Sequence, residues 1–382
     1  MTSRSWEDRA FLAFQRSRIR GCMLGGALGD GMGNPEGWFQ SFRAGVTEPD
    51  ADAEGVVAQV TDATQMTLFT AEGLIRARVR AIVKEVDAGQ ETFFIHDAYL
   101  RWLETQEYSG PPSARGSSDM DTAQHDRVRS GWLRQQTWLY ARRSPGKASL
   151  SGLRHDFIPH PDTELDGSPG RVNPESKGCG TVMRSAPFGL TGFDPERTFR
   201  VAANSAKITH GHPTGYYAAG TFATIIAYIL EGCPIERATH HAMWHLAQHR
   251  GHEETTTALR AAVDLAAEGR PTIEKVESLG AGWVAEEALA IALYCALAGG
   301  SVREALQLAA NHSGNGDSTG AVCGNLLGAY HGDVGLPTDW LAVVEGRGVI
   351  SELADDFDTR FHSDEDTRRL WMGPSLQRYE VP

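Results

Sequence analysis

The sequence predicts an all-α protein built as one large multi-helix domain, and three observations carry that expectation. Apolar residues recur at spacings of three, four and seven, the period of a buried helical face. Glycines fall four apart in two separate segments. Runs of strict apolar–polar alternation, the mark of half-buried strands, are scarce.

In chain order, Gly21, Gly25, Gly29 and Gly33 form the first glycine series, and Gly320, Gly324 and Gly328 form the second. A glycine inside a helix costs roughly 1 kcal/mol relative to alanine. Two such stripes therefore point to helices whose backbones approach closely, with a loop through part of the first series as the competing reading. From Thr64 onward, Leu68, Ile75, Val79, Ile82 and Val86 define one buried helical face. Two long loops follow, roughly 107–128 and 144–176, punctuated by pairs such as Pro111-Pro112 and Pro145-Gly146. A short helix is expected between them, over 132–143. The longest apolar run, 216–230, is too short for a membrane span and contains Gly220, Thr221 and Thr224, so it reads as a buried helix. Residues 283–298 are apolar nearly all round and predict a central helix, and 302–310 and 319–330 predict two more. With no repeat and no dividing linker, residues 1–382 are expected to form one domain.

Composition narrows the function classes. The chain is 41% hydrophobic and 22% charged, with a formal net charge of -13. Such an acidic balance argues against general nucleic-acid or anionic-membrane binding, which needs clustered Lys and Arg. The five cysteines are scattered without a C-x-x-C pair, and the charged N-terminal stretch has no apolar leader, so a reduced, cytoplasmic protein is expected.

Two oxygen-rich clusters open helices. Thr61-Asp62-Ala63-Thr64 precedes the amphipathic helix, and His312-Ser313-Gly314-Asn315-Gly316-Asp317-Ser318-Thr319 precedes the last predicted one. Both read as N-caps, or as ligands converging on a hard cation such as Mg²⁺. Ser176-Lys177-Gly178-Cys179-Gly180 reads as a glycine turn, or as a loop whose N–H groups approach an anion. His241, His245 and His249 share a helical face without an acidic or cysteine partner, which favours a solvated face over a zinc site.

The segments L-G-G-A-L-G-D before Gly31, T-D-A-T-Q-M-T from Thr61, S-K-G-C-G-T-V-M-R-S-A-P from Ser176, T-H-G-H-P-T-G-Y from Thr209, G-W-V-A-E-E-A-L-A-I-A-L-Y from Gly282 and H-S-G-N-G-D-S-T-G from His312 resemble, in the same order, those of the ADP-ribosylglycohydrolase family. The resemblance implies an all-α domain with ADP-ribose in a cleft over a two-magnesium centre, and hydrolysis of the glycosidic bond at the anomeric carbon. It implies Thr61, Asp62, Asn315, Asp317 and Ser318 as metal ligands, and Ser176, Gly178, Cys179, Gly180 and His210 as ligand-binding residues. Glu36 and Asp62 are its candidate catalytic residues.

The chain also departs from the family pattern. Ala63 and Asn315 stand where the family has aspartates, and Gly37 stands where it commonly has a glutamate, with Glu36 one position early. Two close divalent cations need anionic ligands to offset their repulsion. One weakly bound Mg²⁺, or none, is therefore expected in place of two. The function expected is metal-assisted hydrolysis of an ADP-ribosylated substrate. The alternatives are an ADP-ribose- or nucleotide-binding pseudoenzyme, and an enzyme repurposed for another ribosyl or amine metabolite.

Overall fold

The structure is a computed structural model that describes residues 6–34, 57–83, 89–111, 130–363 and 378–379. Fifteen α-helices order most of these residues, with a few 3₁₀ segments between them and a long helix-free stretch over 153–185. They are α1 (Trp6–Gly33), α2 (Asp62–Val83), α3 (Glu91–Glu107), α4 (Lys147–Gly152), α5 (Ala186–Gly189), α6 (Pro195–Ala206), α7 (Pro213–Leu230) and α8 (Ile235–Leu246). Then come α9 (Glu253–Ala266), α10 (Ile273–Ser278), α11 (Ala285–Ala298), α12 (Val302–Ala310), α13 (Gly316–His331), α14 (Thr338–Ala342) and α15 (Arg347–His362). Among the described residues the only β pairing is two isolated bridges, Ala58 with Val344 and Gly178 with Val284. None of the described helices is long and apolar enough to cross a membrane.

The apolar run becomes α7, whose Tyr216, Tyr217, Phe222, Ile225, Ile226 and Ile229 are buried on all sides. Two of its threonines are satisfied within the helix. Thr221 and Thr224 donate to the carbonyls of Tyr217 and Gly220 at 2.7 and 2.9 Å, as buried hydroxyls in helices do. Proline at the first position and His212 at the cap, whose Nδ1 accepts from Thr214 N at 3.2 Å, start the helix. Helices α11 and α13 are likewise buried nearly all round.

The two glycine series face each other across the α1–α13 seam. Gly21, Gly25, Gly29 and Gly33 lie against Gly328, Gly324, Gly320 and Gly316 in antiparallel register, and a methyl group at any of the first seven would overlap backbone of the facing segment. Gly316 completes the second stripe, because α13 begins three residues before the predicted 319. Asn325 Nδ2 donates to the Cys22 carbonyl at 2.7 Å and locks the seam. This packing sets the start of α13 beside the end of α1, which positions the site.

Three predicted elements differ. Residues 132–143 form two 3₁₀ turns, Leu133–Gln135 and Thr137–Leu139, in place of a helix. Gln136 is extended between them, which lets both Leu133 and Leu139 reach the core. The predicted 144–176 loop contains α4, while residues 112–128 of the first loop lie outside the described residues. In α2, Leu68, Ile75 and Val79 are buried as expected, but Ile82 is exposed because the last turn overruns the core. Val86 lies outside the described residues.

Candidate active site

The site begins with a helix end capped by another helix. Asp30, near the end of α1, is fully buried. Its Oδ2 accepts from Thr61 N at 2.9 Å and Thr64 N at 3.0 Å, and the hydroxyls of Thr61 and Thr64 donate to Oδ1 and Oδ2. The free N–H groups of the α2 start thus find a carboxylate supplied across the fold. Burial, reinforced by Asp317, raises Asp30 to about 7 although these hydrogen bonds oppose the shift. Asp30, which ends the A-L-G-D motif, is a buried capping residue that the sequence reading passed over.

Asp62, the first residue of α2, lies beneath the turn at 144–146, where Ser144 is left-handed at φ 53°. Gly146 N donates to its Oδ2 at 3.0 Å, and its own N–H donates to the Arg143 carbonyl at 3.2 Å. Arg143 is fixed by an ion pair to Glu345 and by donation to the Val60 carbonyl at 2.8 Å. Burial, then the nearby Asp317, pushes the Asp62 carboxyl well above its usual range.

The start of α13 supplies the opposite wall. Asn315 N donates to the Ala281 carbonyl at 2.8 Å. The Asn315 amide nitrogen donates to Cys179 Sγ at 3.0 Å, Ser318 Oγ at 3.1 Å and the Gly282 carbonyl at 3.4 Å. It therefore stitches three cleft segments together. Asp317 Oδ1 accepts from Ser318 N at 2.6 Å.

The glycine loop is pinned to the segment before α11: Cys179 N donates to the Trp283 carbonyl at 3.1 Å and Ala285 N to the Lys177 carbonyl at 2.8 Å. His210 lies directly behind the loop, so a methyl at Gly178 or Gly180 would press on its ring at 3.2 Å. Small residues here are a packing requirement. Arg184 donates to Thr209 Oγ1 at 2.6 Å, and Thr209 Oγ1 lies 2.7 Å from His210 Nδ1. Nε2 faces the loop, 3.2 Å from a methyl placed at Gly178. Burial, then Arg184, lowers His210 to about 3, so it stays neutral. Burial pushes the Cys179 thiol up to about 12, which leaves it a thiol and not a nucleophilic thiolate.

These segments enclose a cleft of about 580 Å³. Ser176, Gly178, Cys179, Gly180 and His210 all line it, and so do Asp62, Asn315, Asp317 and Ser318. Thr61 does not, being fully buried with its hydroxyl given to Asp30. Ala63 is also fully buried, and it borders a closed void with Met23, Gly26 and Leu68, away from the cleft. Glu36 lies outside the described residues.

The sequence reading did not assign Trp283 to the cleft. Its indole is 62% exposed at the cleft wall, whereas 283 was expected to start a buried helix. The helix begins at Ala285 because Gly280 and Gly282 take φ 120° and 76°. Glu287 Oε2 holds that turn by accepting from Ala281 N at 3.0 Å and Gly282 N at 3.1 Å.

The histidine-rich face packs on aromatic rings. His241 and His245 pack on Tyr228, and His249 stacks on Phe199 at 4.9 Å between ring centroids. Among the described residues no three His, Cys, Asp or Glu side chains are grouped to hold an ion by themselves.

Fold and site together define an all-helical protein with an acid-floored, glycine-walled ligand cleft. The ADP-ribosylglycohydrolase family model matches residues 12–367, and the chain belongs to that family. An uncharacterized protein of Archaeoglobus fulgidus is 30% identical over 186 residues, covering 46% of this chain and 56% of that protein. ADP-ribosylarginine hydrolase Tri1 of Serratia proteamaculans is 24% identical over 188 residues, covering 49% of this chain and 48% of that protein. The chain thus spans about half the length of the curated relatives it matches. A solved structure described as an ADP-ribosylglycohydrolase-related protein complex superposes with a TM-score of 0.57 at 23% identity, covering 90% of this chain and 98% of that one. That likeness bears on the fold.

Proposed function

We propose that the cleft binds ADP-ribose and hydrolyses the glycosidic bond that joins its anomeric carbon to a modified group. The observation that supports this reading is the pairing of two buried carboxylates, Asp62 and Asp317, with a glycine loop backed by a neutral His210. In this reading the ribose hydroxyls donate to the carboxylates, and the pyrophosphate takes backbone N–H groups of 178–180. The exposed Trp283 indole offers a stacking face for the adenine. Asp62, held by Gly146 N–H, positions and deprotonates the attacking water. Glu36 is the second candidate for that role on sequence grounds. Five free thiols support action in a reducing compartment such as the cytoplasm.

The residues fit one Mg²⁺ better than two. Asp62, Asp317 and Ser318 would hold it, and a bound ion would supply positive charge beside the ribose oxygens. A second ion lacks its ligands, because the Ala63 methyl offers no oxygen and lies away from the cleft lining, and the Asn315 amide donates to Cys179, Ser318 and Gly282. Those same two features favour the second reading, a protein that binds ADP-ribose without turnover.

Titration calorimetry with ADP-ribose, alongside release of ADP-ribose from ADP-ribosylarginine and ADP-ribosylserine, separates the two. Binding with release supports the hydrolase, and binding without release supports the binder. Absence of heat with and without Mg²⁺ rejects both.

A further inference from the structure

A second cavity of about 470 Å³ adjoins the cleft and shares Lys147, Ala148 and Ser176 with its wall. Ser151, Asn173, Pro174 and Glu175 complete it. The two spaces share that wall, but they differ in shape. The cleft is floored by carboxylates, whereas this groove lies open to solvent between α4 and the 173–176 segment. A group joined to the ribose and too large for the cleft therefore has a path out past Ser176.

The groove is built, and one residue builds it. Asn173 adopts the left-handed region at φ 43°, uncommon for a residue with a side chain but accessible to Asn. Its Nδ2 donates to the carbonyls of Ala148 at 3.0 Å and Thr209 at 2.8 Å, and to Ser151 Oγ at 3.1 Å. Its own carbonyl accepts from Ser176 N at 2.9 Å and Gly211 N at 3.0 Å. Asn173 thereby joins α4, the segment that carries His210 and the first residue of the glycine loop. Groove and cleft belong to one preorganised frame, which lowers the ordering cost of a ligand that spans both.

The lining carries hydroxyls and one charge of each sign. Ser151 and Ser176 offer hydroxyls that pair with main-chain amides. Lys147 and Glu175 are exposed charges of opposite sign, neither in an ion pair among the described residues. Glu175 belongs to the groove alone, and Lys147 also borders the cleft.

We propose that this groove receives the chain flanking the modified residue, and that Glu175 selects a basic side chain there. The proposal rests on the hydrolase reading. It makes Glu175 a specificity-determining residue outside the reacting centre.

The test compares three ADP-ribosylated substrates, each in arginine- and serine-linked form: the free amino acid, a peptide with lysines flanking the modified residue, and one with glutamates. The unaltered protein should favour the lysine-flanked peptide by about two- to fivefold in kcat/KM, the scale of one exposed charge pair. Glu175→Lys should invert that preference and leave turnover of the free amino acid unchanged. A rise in ionic strength should shrink the preference. Equal rates on both peptides, or an equal slowing of all three substrates by Glu175→Lys, would overturn the groove assignment while leaving the hydrolase in place. No turnover of any substrate removes the hydrolase reading and this proposal with it.

Discussion

Replacing Gly324 by alanine reverses the usual sign of a helix substitution. In an open helical position Gly→Ala stabilises by roughly 1 kcal/mol, through backbone entropy and propensity. Gly348 in α15 is such a position, with nothing within 4 Å of an added methyl. At Gly324 the methyl would meet the carbonyl of Gly25, and both partners are backbone, so no side chain can swing aside. Overpacking costs typically 1–3 kcal/mol, and a contact that must separate two helices belongs at the upper end. Set against the propensity gain, the net loss is about 2 kcal/mol. For 382 residues the unfolding entropy is about 0.8 kcal/mol/K, so Gly324→Ala should lower the melting temperature by about 2–3 °C. Gly348→Ala should raise it by about 1 °C. Thermal melts of both variants and of the double mutant Gly25→Ala/Gly324→Ala supply the assay. The facing pair should be non-additive, since one displacement relieves both clashes. Stabilisation by Gly324→Ala equal to that by Gly348→Ala would refute close backbone approach at this seam.

Three further outcomes are expected. Asp30→Asn keeps the shape but turns amide hydrogens toward the donors of Thr61 and Thr64; chemical denaturation should show a loss of about 3 kcal/mol, and native stability would contradict the capping role. His210 has a folded value of about 3, below the roughly 6.5 of an unfolded histidine, so the unfolded chain binds the extra proton and the native protein loses stability as pH falls below that value. The stability gap between native protein and His210→Asn should therefore change by up to about 1.4 kcal/mol per pH unit between pH 6 and 4, and parallel curves would contradict burial of the neutral ring. Ala63→Asp places a carboxylate in the closed void of α1, α2 and α13, so melts should show a loss of about 3 kcal/mol or more that Mg²⁺ does not restore; saturable rescue by Mg²⁺ would show that position 63 reaches the metal site.

The parts of this fold that were legible in the sequence are those with a local physical signature. Glycines four apart inside helical stretches have few reasons to exist other than close helix contact, and both series meet in the structure. Thr61-Asp62 and Asn315 to Ser318 were readable as helix starts, because Thr, Asp and Asn accept from free N–H groups there. Their convergence was not readable from spacing, since it depends on the α1–α13 packing. Asp30 was missed because its partners are donors of a different helix, and nothing near residue 30 announces them. Trp283 was misplaced because hydrophobicity alone continues the α11 pattern. The positive φ angles of Gly280 and Gly282, held by Glu287, are what turn the indole outward. The 132–143 segment looked helical by composition, but burial of both Leu133 and Leu139 required an extended residue between two short turns.

The central claim is that Asp62 and Asp317 form the reacting floor of an ADP-ribose cleft. Its most direct test is the rate of ADP-ribose release from ADP-ribosylarginine and ADP-ribosylserine by the native protein, Asp62→Asn and Asp317→Asn, with ADP-ribose affinity measured on the same samples. Turnover by the native protein is expected, with each variant slowed by about a hundredfold or more in kcat, the scale of a lost general base. ADP-ribose binding should survive in both variants through the glycine loop and Trp283. Variants that release ADP-ribose as fast as the native protein would contradict the assignment of the floor.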